Sequence, residues 1–327
     1  MRSVLSLNHT GKEQNYPGNY STCSGSYEKV HTKAEWFYDQ LFTIAFLSKP
    51  NSTAQIIFIL IIFISIVGMV GNGYVIWLLG FCIKRNNFTT YILNLAIADF
   101  GMLMSGAALG ASVVITVSRE NYVIAIQGVL GQLNIFTYNV GLYLLTVIGV
   151  ERCLSILFPI WVRCHRPKHL STIVSVLFWI VSALFTIIQF LLRYFCLLNL
   201  WVMFIRIISG LNLFIFTPIM VVSTLILFLK MCFRHQPGKL HAIMVIILFF
   251  FIITALPFGF LFFFSVIDYN FHIIAIPIYT LLTIVNSSIN PIIYFFVGNQ
   301  CKCRSWDSTK VVFHRVFKDE TELTEVS

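Results

Sequence analysis

The chain has 327 residues and a formal net charge of +9, with 58% hydrophobic, 16% aromatic and only 11% charged residues. A soluble domain carries roughly 25% charged residues, so this composition excludes a water-solvated surface. The positive balance is spread over short loops rather than gathered on one basic face with interleaved aromatics, which excludes nucleic acid as a partner.

Residues 1–53 are polar and are expected to form an extracellular, glycosylated tail. The stretch lacks the apolar core of a cleavable signal, so the first span is expected to act as its own signal anchor. Asn8-His-Thr10, Asn19-Tyr-Ser21 and Asn51-Ser-Thr53 are N-glycosylation acceptors on the predicted outer side. Asn87-Phe-Thr89 and Asn286-Ser-Ser288 match the same pattern but fall in a predicted inner loop and a span, so topology decides which could be used.

Apolar runs long enough to cross a bilayer, about 20 residues at a 1.5 Å rise, fall at 54–82, 89–117, 122–154, 169–193, 198–231, 239–266 and 271–298. The fold expected is an all-α membrane protein, a seven-transmembrane helix bundle over 54–298 with a short amphipathic helix after the last span. The break between the fourth and fifth runs rests on Arg193 to Asn199 alone, with neither proline nor glycine to mark it.

Lys84 and Arg85 follow the first run, Arg163, Arg166 and Lys168 the third, and Lys230, Arg234 and Lys239 the fifth. The opposing loops carry little more than Arg119 and Arg193. By the positive-inside rule the N-terminus is expected outside and the C-terminus in the cytoplasm, in a multi-pass arrangement.

Between Asn51 and Gln300 the only carboxylates are Asp99, Glu120, Glu151 and Asp268, and Asp99 alone falls deep within an apolar run. A carboxylate there is costly without partners, so it marks a function or a polar network. The last run holds Asn286-Ser-Ser-Ile-Asn290-Pro291-Ile-Ile-Tyr294, polar groups around a helix-kinking proline. Pro257 kinks the sixth run and supplies a hinge.

Of the eight cysteines, Cys82, Cys153, Cys164, Cys232, Cys301 and Cys303 lie at or beyond predicted cytoplasmic ends, where thiols stay reduced. Cys23 and Cys196 face outward and could form a disulfide or stay free. Cys301 and Cys303, beside Lys302 and Arg304, are candidates for palmitoylation or remain solvated thiols. No cysteine spacing suggests a zinc site. Residues 299–317 mix basic and apolar side chains at helical spacing and are expected to lie as an amphipathic helix on the inner leaflet. Residues 318–327 read as a disordered acidic tail in which Thr321, Thr324 and Ser327 are possible phosphorylation sites.

Gly71-Asn72, Asn94-Leu-Ala-Ile-Ala-Asp99, Glu151-Arg152-Cys153, Trp179, Pro218, Pro257 and Asn290-Pro-Ile-Ile-Tyr294, in this order, resemble the signature set of rhodopsin-like G-protein-coupled receptors. The stretch from Gly141 through Trp161 and on to Lys168, with Asn286 to Gly298, resembles the Mas and Mas-related receptors more narrowly, over about residues 54–320.

The resemblance implies that Asn72, Asn286 and Asn290 join Asp99 in a polar network that water or a sodium ion could complete. Gly141 stands where the family usually has a serine, so sodium is not expected and no cofactor is assigned. Glu151 and Arg152 would form the cytoplasmic switch, the arginine facing a heterotrimeric G protein once the sixth span swings outward, with Pro257, Asn290, Pro291 and Tyr294 carrying that movement. Ala255 replaces a tryptophan and Ile226 a tyrosine of the wider family, so neither supplies a trigger here.

For the ligand site, Asn134 stands where amine receptors have aspartate, and Gln127 replaces the cysteine that staples the second outer loop. Some Mas-related receptors hold cationic ligands through acids where this chain has Gln189 and Arg206. With Arg193 and His272 these make the mouth neutral to basic and suit an anionic group, walled by Tyr138 and Tyr279. The expected function is transduction of an extracellular peptide or small metabolite into G-protein activation, with arrestin and receptor kinases as further partners. The alternative is a seven-helix transporter or channel, although Asp99 alone makes a poor translocation path. A retinal protein would need a lysine within the core of a span, and an intramembrane enzyme would need a second catalytic group near Asp99. The sequence offers neither.

Overall fold

A computed structural model describes residues 52–83, 86–115, 121–167, 169–195, 197–233, 245–254 and 272–299. The expected glycosylation sites Asn8, Asn19 and Asn51, the pair Cys23 and Cys196, the hinge Pro257, Cys301 and Cys303, and the helix and tail after residue 299 lie outside them.

The described chain is helical throughout its long elements. Helix α1 (Ser52–Trp77) runs into a wider π turn at Leu78–Cys82, and α2 spans Asn87–Ile115. Helix α3 (Asn121–Leu157) is followed by the short α4 (Pro159–His165) and by α5 (Leu170–Tyr194). Helix α6 (Leu198–Leu211) passes through a π turn at Asn212–Phe216 into α7 (Thr217–Phe233). Helix α8 covers Val245–Thr254, and α9 covers His272–Asn299 with Pro277 and Pro291 inside it.

Local chemistry explains several boundaries. Asn86 caps α2: its Oδ1 accepts from the Thr89 amide at 2.7 Å while the Thr89 hydroxyl accepts from the Asn86 amide at 2.7 Å, which satisfies two otherwise orphaned donors. Helix α3 stops at Leu157 because Phe158 precedes proline and leaves helical dihedrals, at φ −132° and ψ 60°; Pro159 then opens α4. The weakly marked break between the fourth and fifth runs is real, since α5 ends at Tyr194 and α6 begins at Leu198. No proline is needed there because Phe195 and Leu197 close the last turn of α5 onto Leu191 and Leu192.

Among the described residues, five helical stretches, in α1, α2, α3, α5 and the α6–α7 run, are long and apolar enough to cross a membrane. Their outward faces are apolar. On α1, Ile56, Leu60, Phe63, Val67 and Val70 recur at helical spacing and are exposed, Val70 by 71%. The opposite stripe, with Phe58, Ile61, Ser65, Asn72 and Val75, is buried. A face this apolar suits lipid rather than water.

The core forms where α2 and α3 cross the middle of the bundle. Helix α2 packs on α1, α3, α5 and α9, and α3 packs on α5 and α7 as well. Tyr91, Leu95, Leu144, Leu145, Leu248 and Tyr294 belong to one buried cluster. Glycines bring α1 against α9. A side-chain carbon on Gly71 would lie 3.1 Å from Pro291, and one on Gly68 would lie 2.6 Å from the Ser288 hydroxyl. Close backbone approach through small residues is the usual packing device inside membranes.

Candidate functional site

Polar side chains collect in three layers along the inside of the bundle. In the middle layer Asp99 is almost fully buried, and Asn290 Nδ2 donates to its Oδ2 at 2.7 Å. The hydroxyl of Ser287 also faces this carboxylate. The bond ties α2 to α9 one residue before the Pro291 kink.

Asn72 lies in the same layer but spends its amide differently. Its Nδ2 donates to the Gly68 carbonyl and, across the interface, to the Ser287 carbonyl, each at 3.0 Å. Proline at 291 has no amide hydrogen to give the carbonyl one turn earlier, so a donor from α1 serves the carbonyl of Ser287. Asn286 points the other way, toward α8, where its Oδ1 accepts from the Thr254 hydroxyl at 3.1 Å. Helix α9 is therefore tied to α1, α2 and α8, and while Asn290 meets Asp99, Asn72 and Asn286 turn to other partners. Trp179 Nε1 donates to Asn94 Oδ1 at 3.0 Å and fixes α5 on α2. Tyr294 is buried in the core cluster. Among the described residues no group of three or more His, Cys, Asp or Glu side chains could hold a metal ion.

At the end reached by the C-terminus of α3, Glu151 and Arg152 diverge, as adjacent residues on a helix do. Glu151 Oε1 accepts from the Tyr91 hydroxyl at 2.8 Å, and its Oε2 is bound by Arg166, which follows α4. The same Arg166 donates to the Ser171 hydroxyl at 2.8 Å. Arg152 lies with its Cζ 4.1 Å above the Phe88 ring, a cation–π contact. Cys153, between α3 and α7, donates from its thiol to the Ser223 carbonyl at 3.1 Å.

In the opposite half, Asn134 turns inward and donates to the Ser105 hydroxyl of α2 at 2.8 Å. Gln127, Gln189 and Tyr279 are buried, Tyr138 is half-buried, and Arg206 is on an exposed face of α6. The backbone of His272 opens α9, while its side chain is not among those described. Gln189 Oε1 and Trp201 Nε1 are buried without a hydrogen-bond partner among the described residues. Arg193 sits 5.5 Å over the Trp201 ring. No carboxylate occurs in this half of the described chain, because Asp99 and Glu151 lie deeper.

Sequence reasoning passed over two groups. One is the set of Tyr91, Arg166 and Ser171 around Glu151. The other is a chain between α3 and the second π turn, in which the Tyr143 hydroxyl donates to Asn212 Oδ1 at 3.0 Å and Asn212 Nδ2 donates to Asn139 Oδ1 at 2.8 Å. The signal available for the second was two amides inside apolar runs, the kind of residue that seldom sits in a membrane without a partner.

The family described as 7 transmembrane receptor (rhodopsin family) matches residues 71–294. Proto-oncogene Mas of Mus musculus is 38% identical over 299 residues, which cover 85% of this chain and 88% of that protein. Mas-related G-protein coupled receptor member H of Rattus norvegicus is 38% identical over 268 residues, covering 77% of this chain and 80% of the relative. Member D of Mus musculus is 34% identical over 281 residues, covering 78% and 83%.

Proposed function

Since the chain belongs to the rhodopsin-like seven-transmembrane receptors, in their Mas-related branch, we propose that it passes an extracellular binding event to a heterotrimeric G protein by rearranging the contacts that tie α2, α3, α8 and α9 together. As a member of that family it is a G-protein-coupled signalling receptor built as a seven-span bundle in the plasma membrane. The family is one of receptors rather than enzymes. The observation that carries the mechanism is the Asp99–Asn290 bond at 2.7 Å, beside the Asn286–Thr254 bond at 3.1 Å. A shift of α9 must disturb its grip on α2 and on α8 together, so a ligand that favours one arrangement biases the whole inner end. Arg152, near that end, is the residue assigned to meet the G protein.

For the ligand we propose a neutral or anionic peptide or metabolite. The support is chemical: Gln189 is neutral, and Arg193 and Arg206 are basic. Arrestin and receptor kinases are proposed partners of the C-terminal tail through Thr321, Thr324 and Ser327. The N-terminus is assigned outside and the C-terminus inside on the distribution of lysine and arginine.

The test is G-protein dissociation in cells expressing the wild type and Arg152→Ala at matched surface levels, across the Gα classes, with a panel of peptides and anionic metabolites. Signal in the wild type and its loss in Arg152→Ala support the mechanism. Full signal in Arg152→Ala removes Arg152 from it, and an unchanged response of Arg206→Ala to an activating anion removes the anion site.

A further inference from the structure

Helix α3 is narrow where α7 and α8 meet it. Gly149 and Cys153 are one turn apart and therefore share a face of the helix. A side-chain carbon on Gly149 would lie 3.3 Å from Ser223 Cβ of α7 and 3.5 Å from Leu248 Cδ1 of α8, so both neighbours rest against bare backbone. Cys153 continues this notch toward the C-terminal end of α3 and is buried. Its thiol donates to the Ser223 carbonyl at 3.1 Å, and the Leu227 amide faces the same sulfur. The sulfur thus grips the main chain of α7 rather than a side chain. Met220 and Leu227 of α7, with Leu248 and Phe251 of α8, belong to the same buried cluster as Leu145 and Ile148 of α3. Helix α8 is therefore closed onto α3, with α7 beside it.

We propose that Gly149 and Cys153 are positioning residues for coupling: they form the seat that holds α7 and α8 against α3 in the silent receptor, and filling or unlatching that seat releases them. This rests on the receptor reading above for its consequence, though not for its geometry. Lipid supplies no hydrophobic drive between helices, so close packing at small residues and hydrogen bonds across the seam hold them together. A methyl group at Gly149 would force Ser223 back by a few tenths of an ångström, and a seam packed to interior density answers such a push by changing arrangement rather than by compressing. Cys153 acts from the other side of the balance. Within an α-helix the Leu227 amide already serves the Ser223 carbonyl, so loss of the thiol strands no acceptor and weakens the seam alone.

Two measurements test this with the full-length receptor in lipid nanodiscs. The first needs no G protein: it is the rate at which N-ethylmaleimide labels Cys153, read on the peptide by mass spectrometry. Gly149→Ala is expected to speed the labelling about threefold, the scale of one contact between membrane helices. Ser223→Gly in the same chain, which removes the carbon that the new methyl meets, is expected to return it toward the wild-type rate. An unchanged rate in Gly149→Ala overturns the seat. A rise that Ser223→Gly does not reverse places the disturbance elsewhere and overturns it too.

The second measurement is nucleotide exchange on purified heterotrimeric G proteins without any ligand. Gly149→Ala and Cys153→Ala are each expected to raise it about threefold, and Cys153→Ser, which keeps a donor, to recover part of the silence that Cys153→Ala loses. Cys153→Ala adds no volume and carries this measurement alone if Gly149→Ala does not fold. A merely structural role would lower the amount of folded receptor without raising exchange per receptor, so unchanged or lowered exchange beside an active wild type overturns the proposal. If the labelling behaves as expected while neither the wild type nor any variant drives exchange on any G protein, the signalling mechanism fails and the seat stands.

Discussion

At the scale of single residues, the strength of each contact follows from the charge of its acceptor. Asn290 donates to a carboxylate and Thr254 to a neutral amide, at 2.7 and 3.1 Å. A hydrogen bond to a charged group is worth about 1.5–3 kcal/mol, whereas neutral contacts between membrane helices average about 0.6 kcal/mol. In unfolding cycles on the detergent-solubilised receptor, the Asp99→Ala and Asn290→Ala pair should therefore show the larger coupling, and Thr254→Ala with Asn286→Ala the smaller. Equal couplings would mean that Asp99 is served chiefly by other groups. The positions of Asp99, Asn72, Asn286 and Asn290 were legible in the sequence as polar residues in apolar runs. Their partners were not, because an amide can turn to either side of its helix. Asn72 reaches a backbone carbonyl freed by Pro291, and Asn286 reaches α8, choices that depend on how the helices rotate against each other. At Glu151, too, the residue was legible and the partner was not, because Arg166 is brought back by the turn through α4.

At the scale of elements, the two π turns and the glycines set how the helices meet. Asn212 opens the second π turn, the Thr217 hydroxyl donates to its backbone carbonyl at 2.8 Å, and its side chain meets α3. It satisfies Tyr143 and Asn139 together, while Asn139 Nδ2 stays buried without a partner among the described residues. Leaving a buried polar group unpaired costs about 1–3 kcal/mol, but removing one that was already unpaired recovers part of that. Asn212→Leu should accordingly destabilise the receptor more than Asn139→Leu, read as the drop in unfolding temperature; the reverse order would mean that the cluster is not held through Asn212.

The glycines give opposite signs. An added carbon at Gly68 would meet Ser288 at 2.6 Å and Leu103 at 2.9 Å, while at Gly141 nothing lies within 4 Å. Alanine gains about 1 kcal/mol over glycine in a helix, and overpacking costs about 1–3 kcal/mol. Gly141→Ala should raise the unfolding temperature and Gly68→Ala should lower it, and a rise for both would contradict the tight α1–α9 approach. Among the described residues the order of the spans was legible from apolar runs alone, and even the weakly marked α5–α6 break fell within Arg193 to Asn199, whereas the short α4 had no run to mark it. The π turns left no pattern, since one extra residue in a turn does not change composition.

At the scale of the whole molecule, orientation decides which layer of polar residues meets which partner. Basic residues cluster where α1 meets α2, around α4, and between α7 and α8, namely Lys84, Arg85, Arg163, Arg166, Lys168, Lys230, Arg234 and Lys239. The α2–α3 and α5–α6 connections carry only Arg119 and Arg193 at or beside them. Each cation held near the anionic inner leaflet contributes about 1 kcal/mol, so a surplus of this size on one side outweighs any opposing preference of the outer loops. In the proposed orientation the Glu151, Arg152 and Arg166 end faces the cytoplasm, as coupling to a G protein requires, and the Gln189 and Arg206 half faces outward. An epitope placed at the N-terminus should stain intact cells, and one at the C-terminus only permeabilised cells. Replacing Asn8, Asn19 and Asn51 by Gln should reduce the apparent mass to that of the glycosidase-treated wild type. Staining of the C-terminal epitope on intact cells would invert the bundle, put Arg152 outside the cell, and remove the physical basis for assigning it to the G protein.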